Sequence, residues 1–124
     1  MRISTLRNAV VTALEDKKAR DITVLDVRKL TALFDYAIIA TGDSSRQTKA
    51  LARHVQDSAK QIGGSVYGSE GEETGEWVLV DLGDIVVHVM QPAVREYYNL
   101  EELWTVTKKP AKPRKSKAMP ADVT

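Results

Sequence analysis

Residues 41–47 (TGDSSRQ), where an apolar run meets a glycine and then a helical pattern, come nearest to ligand chemistry in this chain. Free N–H groups at a helix start attract anions, and Gly42 would let a phosphate approach the backbone. Phosphoryl transfer at such a turn also needs carboxylates on an adjacent strand to hold two metal ions. Asp81 and Asp84 straddle a turn and lack the alternate spacing that puts two side chains on one strand face. Asp26 and Asp35 lie on other segments. The pattern Ser44-x-x-Gln47 accounts for the same junction as a plain capping box, with no ligand at all.

The remaining candidates are few. Cysteine is absent, which excludes disulfides, thiolate zinc sites and thiol nucleophiles. His54 and His88 are the only histidines and stand in no ligand-spaced motif, so neither a metal nor any other cofactor is assigned. His88 reads better as a hydrogen-bonded structural or interface residue, with Asp81, on the same face of the hairpin though not directly opposite, to orient it. Trp77 and Trp104, the only tryptophans, suit either core packing or anchoring a partner, since tryptophan dominates binding hot spots. Trp77 favours the second role, because its face also carries Asp81 and His88. Four glutamates beside it, Glu70, Glu72, Glu73 and Glu76, suit a basic partner.

These residues are held by a hairpin over residues 76–90 (EWVLVDLGDIVVHVM). Glycine at the first central position of a Gly83-Asp84 loop predicts a type II′ turn. Leu82 then faces Ile85, Val80 faces Val87 and Val78 faces Val89, giving one wholly aliphatic face. The other face pairs Asp81 with Val86, Leu79 with His88 and Trp77 with Met90. A slip of one residue would exchange the two sets.

Around the hairpin, Ser4 is expected to cap a first helix that buries Leu6, Val10, Ala13 and Leu14 and ends near Lys18. Strands follow at residues 21–27 and 35–41, the second apolar enough to be buried on both faces. Leu51, Val55, Ala59 and Ile62 define a long helix stopped by Gly63-Gly64. A short strand is expected at residues 65–67, then an acidic glycine-rich loop at 68–75. Pro92 starts a last helix in which Val94, Tyr97 and Tyr98 pack down, with a further apolar turn expected at Leu100, Leu103 and Trp104. The order α-β-β-α-β-β-β-α implies a mixed five-stranded sheet with packed helices, an α/β or α+β domain.

A chain of 124 residues makes one domain, 43% hydrophobic and 28% charged, as in ordinary soluble proteins. It has neither a signal-peptide core nor an apolar run long enough for a membrane span, so a cytoplasmic location is expected. Residues 105–124 carry six bases and one acid, leaving 12 bases and 16 acids in residues 1–104. The body, at −4, is no nucleic-acid binder, while the tail can add non-specific attraction to RNA.

Two resemblances emerge. The glycine-serine turn resembles that of nucleotidyltransferases, and a metal-dependent enzyme of that class is the alternative reading. A more specific one rests on Asp21-Ile22, Leu25-Asp26-Val27, Asp35-Tyr36, Thr41-Gly42 and Ser44-Ser45-Arg46, then Glu70-Gly71, Trp77, Asp81-Leu82-Gly83-Asp84, Val87-His88, Arg95, Tyr98, Leu100-Glu101 and Leu103-Trp104. Over about residues 5–104 the chain resembles the ribosomal silencing factors of the Iojap family. The resemblance implies a nucleotidyltransferase-like fold without catalytic carboxylates; the domain is expected over residues 1–106, and the Lys-, Pro-, Ala- and Ser-rich composition beyond it, outside the resemblance, predicts a disordered basic tail at 107–124. It implies no enzymatic activity, but binding to large-subunit ribosomal protein fourteen where the small subunit docks, so that translation falls when nutrients are scarce. Partner-binding residues then map onto Trp77, Asp81, His88, Tyr98, Glu101 and Trp104. The resemblance also implies that the free protein can form homodimers.

Overall fold

The computed structural model describes residues 2–99, in the order α1 (Ile3–Asp16), β1 (Arg20–Asp26), β2 (Tyr36–Thr41), α2 (Ser45–Gln61), β3 (Gly68–Glu70), β4 (Trp77–Asp81), β5 (Ile85–Met90) and α3 (Pro92–Tyr98). The five strands form one sheet in the order β1-β2-β5-β4-β3. Only the β2–β5 pair is parallel; the other three pairs are antiparallel. The expected mixed α+β architecture is therefore correct. No helix among the described residues is long and apolar enough to cross a membrane.

Both long helices pack on one face of the sheet. The predicted stripe of α1, Leu6, Val10, Ala13 and Leu14, is buried against Leu51, Ala52, Val55 and Ala59 of α2. Beneath them lie Ile38 and Ala40 of β2 and the aliphatic face of the hairpin, Val78, Val80, Leu82, Ile85, Val87 and Val89. Each large aliphatic side chain removed from water here contributes about 1.5–3 kcal/mol. All six residues of β2 are buried, as a central strand covered on both faces requires.

The hairpin has the register that its sequence predicts: Trp77 opposite Met90, Leu79 opposite His88 and Asp81 opposite Val86. Leu82 N–H donates to the Ile85 carbonyl, closing a two-residue loop. Gly83 sits at φ +89° while Asp84 is not left-handed, which fits a type II′ turn.

Several local expectations need correction. Ser4 does not cap α1; it lies inside the first turn. Arg2 is the N-cap, and its carbonyl, carried on extended backbone, accepts from the N–H groups of Thr5 and Leu6. The helix ends at Asp16 because Lys18 turns left-handed and Ala19 N–H closes back onto the Leu14 carbonyl. The short third strand occupies Gly68–Glu70, not residues 65–67, taking over the start of the expected loop because these residues pair with Leu79, Val80 and Asp81. In α3, Tyr97 does not pack down and is 81% exposed. The expected apolar turn at Leu100, Leu103 and Trp104 and the expected tail at 107–124 lie outside the described residues.

Candidate functional site

The strand-glycine-helix junction is closed by its own side chains. Ser44 Oγ accepts from Gln47 N–H at 3.1 Å, and Gln47 Oε1 accepts from Asp43 N–H at 2.7 Å. Gln47 Nε2 donates to the carbonyls of Lys17 and Lys18, tying α2 to the end of α1. Asp43 brings a carboxylate to the mouth of the junction, where it pairs with Arg20 and opposes an approaching anion. Gly42 serves packing, since a Cβ there would stand 2.8 Å from the Thr48 methyl carbon. The Asp26 carboxyl pairs with Arg28 at 2.6 and 2.9 Å, which lowers its pKa to about 2. Asp81 Oδ1 accepts from Gly83 N–H at 2.8 Å and so supports the hairpin turn. Among the described residues no three histidine, aspartate or glutamate side chains gather to hold a metal ion.

The outer face of the hairpin, turned away from α1 and α2, is different. Trp77 Nε1–H donates to His88 Nδ1 at 3.1 Å, with the two ring centroids 5.9 Å apart. Trp77 reaches His88 diagonally, because His88 lies two residues before its direct partner Met90. The expectation that Asp81 orients His88 is therefore corrected: the bond of Asp81 is to Gly83 in the turn, and the indole does the orienting. Accepting at Nδ1 leaves the imidazole proton on Nε2. Burial of the ring pushes its pKa down to about 4, so it is neutral near pH 7. Tyr98 of α3 also packs against the indole, with its centroid 4.8 Å away, and Tyr97 meets Tyr98 edge-on at 4.9 Å. Three of the six expected partner-binding residues, Trp77, His88 and Tyr98, thus form one cluster. Asp81 lies on the same face nearer the turn, and Glu101 and Trp104 lie outside the described residues.

Two supports hold the cluster. Arg95 of α3 donates to Thr41 Oγ1 and Thr23 Oγ1, each at 2.9 Å, and to the Asp21 carbonyl, which straps the short helix carrying Tyr98 across β1 and β2. The acidic loop before Trp77 is fastened to the start of α2. Thr48 Oγ1 donates to the Gly75 carbonyl at 2.5 Å, Ser45 Oγ to the Thr74 carbonyl at 2.8 Å, and Gln91 Nε2 to Gly75 at 3.2 Å. Nothing in the spacing of Ser45, Thr48 or Gln91 announces this, because the contacts join three separated segments.

Beside the cluster runs an open groove of about 520 Å³, lined by Leu33, Phe34, Tyr67, Leu79, Asp81, Gly83 and Val86. Leu33 and Tyr67 are 83% and 69% exposed. Sequence reasoning missed both; the signal available was two large apolar residues in connections otherwise suited to solvent.

Comparison with known proteins adds an independent line. The family described as ribosomal silencing factor during starvation matches residues 1–123. A Chromobacterium violaceum protein named ribosomal silencing factor is 58% identical over 104 residues, which cover 84% of this chain and 85% of that protein. A crystal structure from the same organism superposes with a TM-score of 0.83 at 55% identity, covering 91% of each chain. Among more distant relatives, the maize chloroplastic protein Iojap is 39% identical over 93 residues, which cover 74% of this chain and 40% of that protein. The mouse protein named mitochondrial assembly of ribosomal large subunit protein 1 is 34% identical over 100 residues, which cover 78% of this chain and 44% of that protein. Matched by the family model over residues 1–123, and by a relative 58% identical over 84% of its length, the chain belongs to the ribosomal silencing factor family.

Proposed function

We propose that this protein is a cytoplasmic translational repressor that binds the large ribosomal subunit through large-subunit ribosomal protein fourteen. Its outer hairpin face is the docking surface, and the bound protein occupies the ground on which the small subunit would land. Translation falls under nutrient limitation by steric blockade, and no reaction is catalysed.

The observation that carries this reading is the Trp77–His88–Tyr98 cluster. A tryptophan fixed by a hydrogen bond to one neighbour and ring contact with a tyrosine is a preorganised anchor of the kind that dominates binding energy. The exposed glutamates of the adjoining loop suit the basic surface typical of a ribosomal protein. A stable contact needs about 800 Å² per partner, which a hairpin face with one short helix can supply. The family description names starvation, and the printed name of the mouse relative refers to the large subunit. The same face is open to a second copy of the chain, so a homodimer of the free protein would compete with the subunit.

The test is co-sedimentation with isolated large subunits, followed by a subunit-joining assay. Trp77→Ala and Tyr98→Ala are each expected to weaken binding about tenfold or more, and to restore joining. Unchanged binding by both variants would remove this face as the docking site.

A further inference from the structure

We infer that the docking surface extends past Leu79 into the groove beside the hairpin turn, and that the groove takes an arginine or lysine side chain of the basic partner. This rests on the reading of the hairpin face as a docking surface and adds to it residues that lie outside the Trp77 cluster.

Continuity comes first. Leu79 pairs directly with His88 and is diagonal to Val86, so the floor of the groove is the same strand face that carries Trp77. One wall is Tyr67, whose N–H donates to the Asp81 carbonyl at 2.8 Å and whose ring lies over the hairpin turn. The other wall is Leu33 with Phe34, in the connection between β1 and β2. Leu33 N–H donates to Thr31 Oγ1 at 3.1 Å, which shapes that wall. Two large side chains held this far out of the core, at 83% and 69% exposure, leave apolar surface uncovered in the free protein.

The chemistry of the occupant follows from the lining. An apolar floor suits the aliphatic stem of a long side chain, and an aromatic wall suits a cation. Asp81 supplies the charge: Oδ1 is spent on Gly83 N–H, while Oδ2 has no partner among the described residues. Asp84, exposed at the turn, adds a second negative charge nearby. A neutral aliphatic side chain would leave the Asp81 carboxylate beside it partly desolvated and unpaired, whereas a cationic head satisfies it.

The experiment measures affinity for isolated large subunits as a function of salt, with thermal unfolding as a check on folding. Tyr67→Ala and Leu33→Ala truncate walls that contribute little to the core. Asp81→Asn removes the charge and keeps an oxygen to accept from Gly83. Tyr67→Ala and Asp81→Asn are each expected to weaken binding about tenfold and Leu33→Ala several-fold, and Asp81→Asn also to make binding less salt-dependent. If Trp77→Ala weakens binding while the three groove variants stay within about twofold of the parent, the groove is no part of the surface and the hairpin reading survives. If neither Trp77→Ala nor any groove variant has an effect, both readings fall. Loss in the groove variants alone upholds the groove and relocates the docking centre towards it.

Discussion

His88 shows how one contact sets the behaviour of a site. Its Nδ1 is occupied by the Trp77 indole N–H, so protonation would replace an acceptor with a donor facing a donor. Burial works in the same direction and brings the folded pKa to about 4 from an ordinary value of 6.5. Between those values the unfolded chain binds a proton that the folded chain does not, so stability from this residue falls as pH drops from about 6.5 to 4. It is present in full above pH 6.5 and stops changing below about 4. Partial exposure of the ring reduces the effect, to of order 1–3 kcal/mol over the window. His88→Gln keeps a group able to accept from the indole but does not titrate. Denaturant unfolding of parent and variant from pH 4 to 7 is expected to show a stability difference that grows with pH through this window. A difference that is flat with pH would mean that His88 is not held neutral by the fold.

At the scale of elements, the hairpin was legible because strict alternation and a glycine at the first turn position act on neighbouring residues. Its register, its core face and the company of Trp77 with His88 all followed from that. Expectations failed where distant segments decide. The third strand formed at Gly68–Glu70 because β4 offered an edge to pair with, and its own residues carry no strand signal. The Arg95 strap and the Thr48 clamp on Gly75 are equally non-local. Two variants probe these devices. At Gly83, held at φ +89°, an added Cβ would stand 2.6 Å from the Tyr67 ring. Gly83→Ala is therefore expected to cost about 1–3 kcal/mol in denaturant unfolding, from backbone strain and displaced ring together. Thr48 is fully buried, and its single hydroxyl proton is best placed on the close Gly75 carbonyl. Thr48→Val keeps shape and loses that proton, so a destabilisation of about 1–2 kcal/mol is expected. Because Gln91 still reaches Gly75, hydrogen exchange should speed up in residues 71–76 while β4 and β5 stay protected.

At the scale of the whole molecule, exposed acids gather around the hairpin and exposed bases along one stripe of α2. Glu70, Glu72, Glu73 and Glu76 in the segment leading into the hairpin, and Asp84 at its turn, are all exposed. The outward side of α2 carries Arg46, Lys49, Arg53 and Lys60, with Asp57 its single acid. At 100° per residue these four bases fall within a sector of about 60°. None of them forms an ion pair among the described residues. Such a charge distribution turns the protein as it approaches a charged partner, so the docking face can be identified by rate. Paired changes of equal size and opposite sign make the comparison. Glu72→Lys with Glu73→Lys, beside the hairpin, is expected to slow association with large subunits about tenfold at low salt, with the difference shrinking once the screening length falls to about 8–10 Å. Lys49→Glu with Arg53→Glu alters total charge by the same amount but on the α2 stripe. It is expected to keep the rate within about threefold of the parent. Stopped-flow association at several ionic strengths measures both. A larger loss from the α2 pair than from the loop pair would mean that the protein meets the ribosome through its helical layer, and the hairpin face would then need another role.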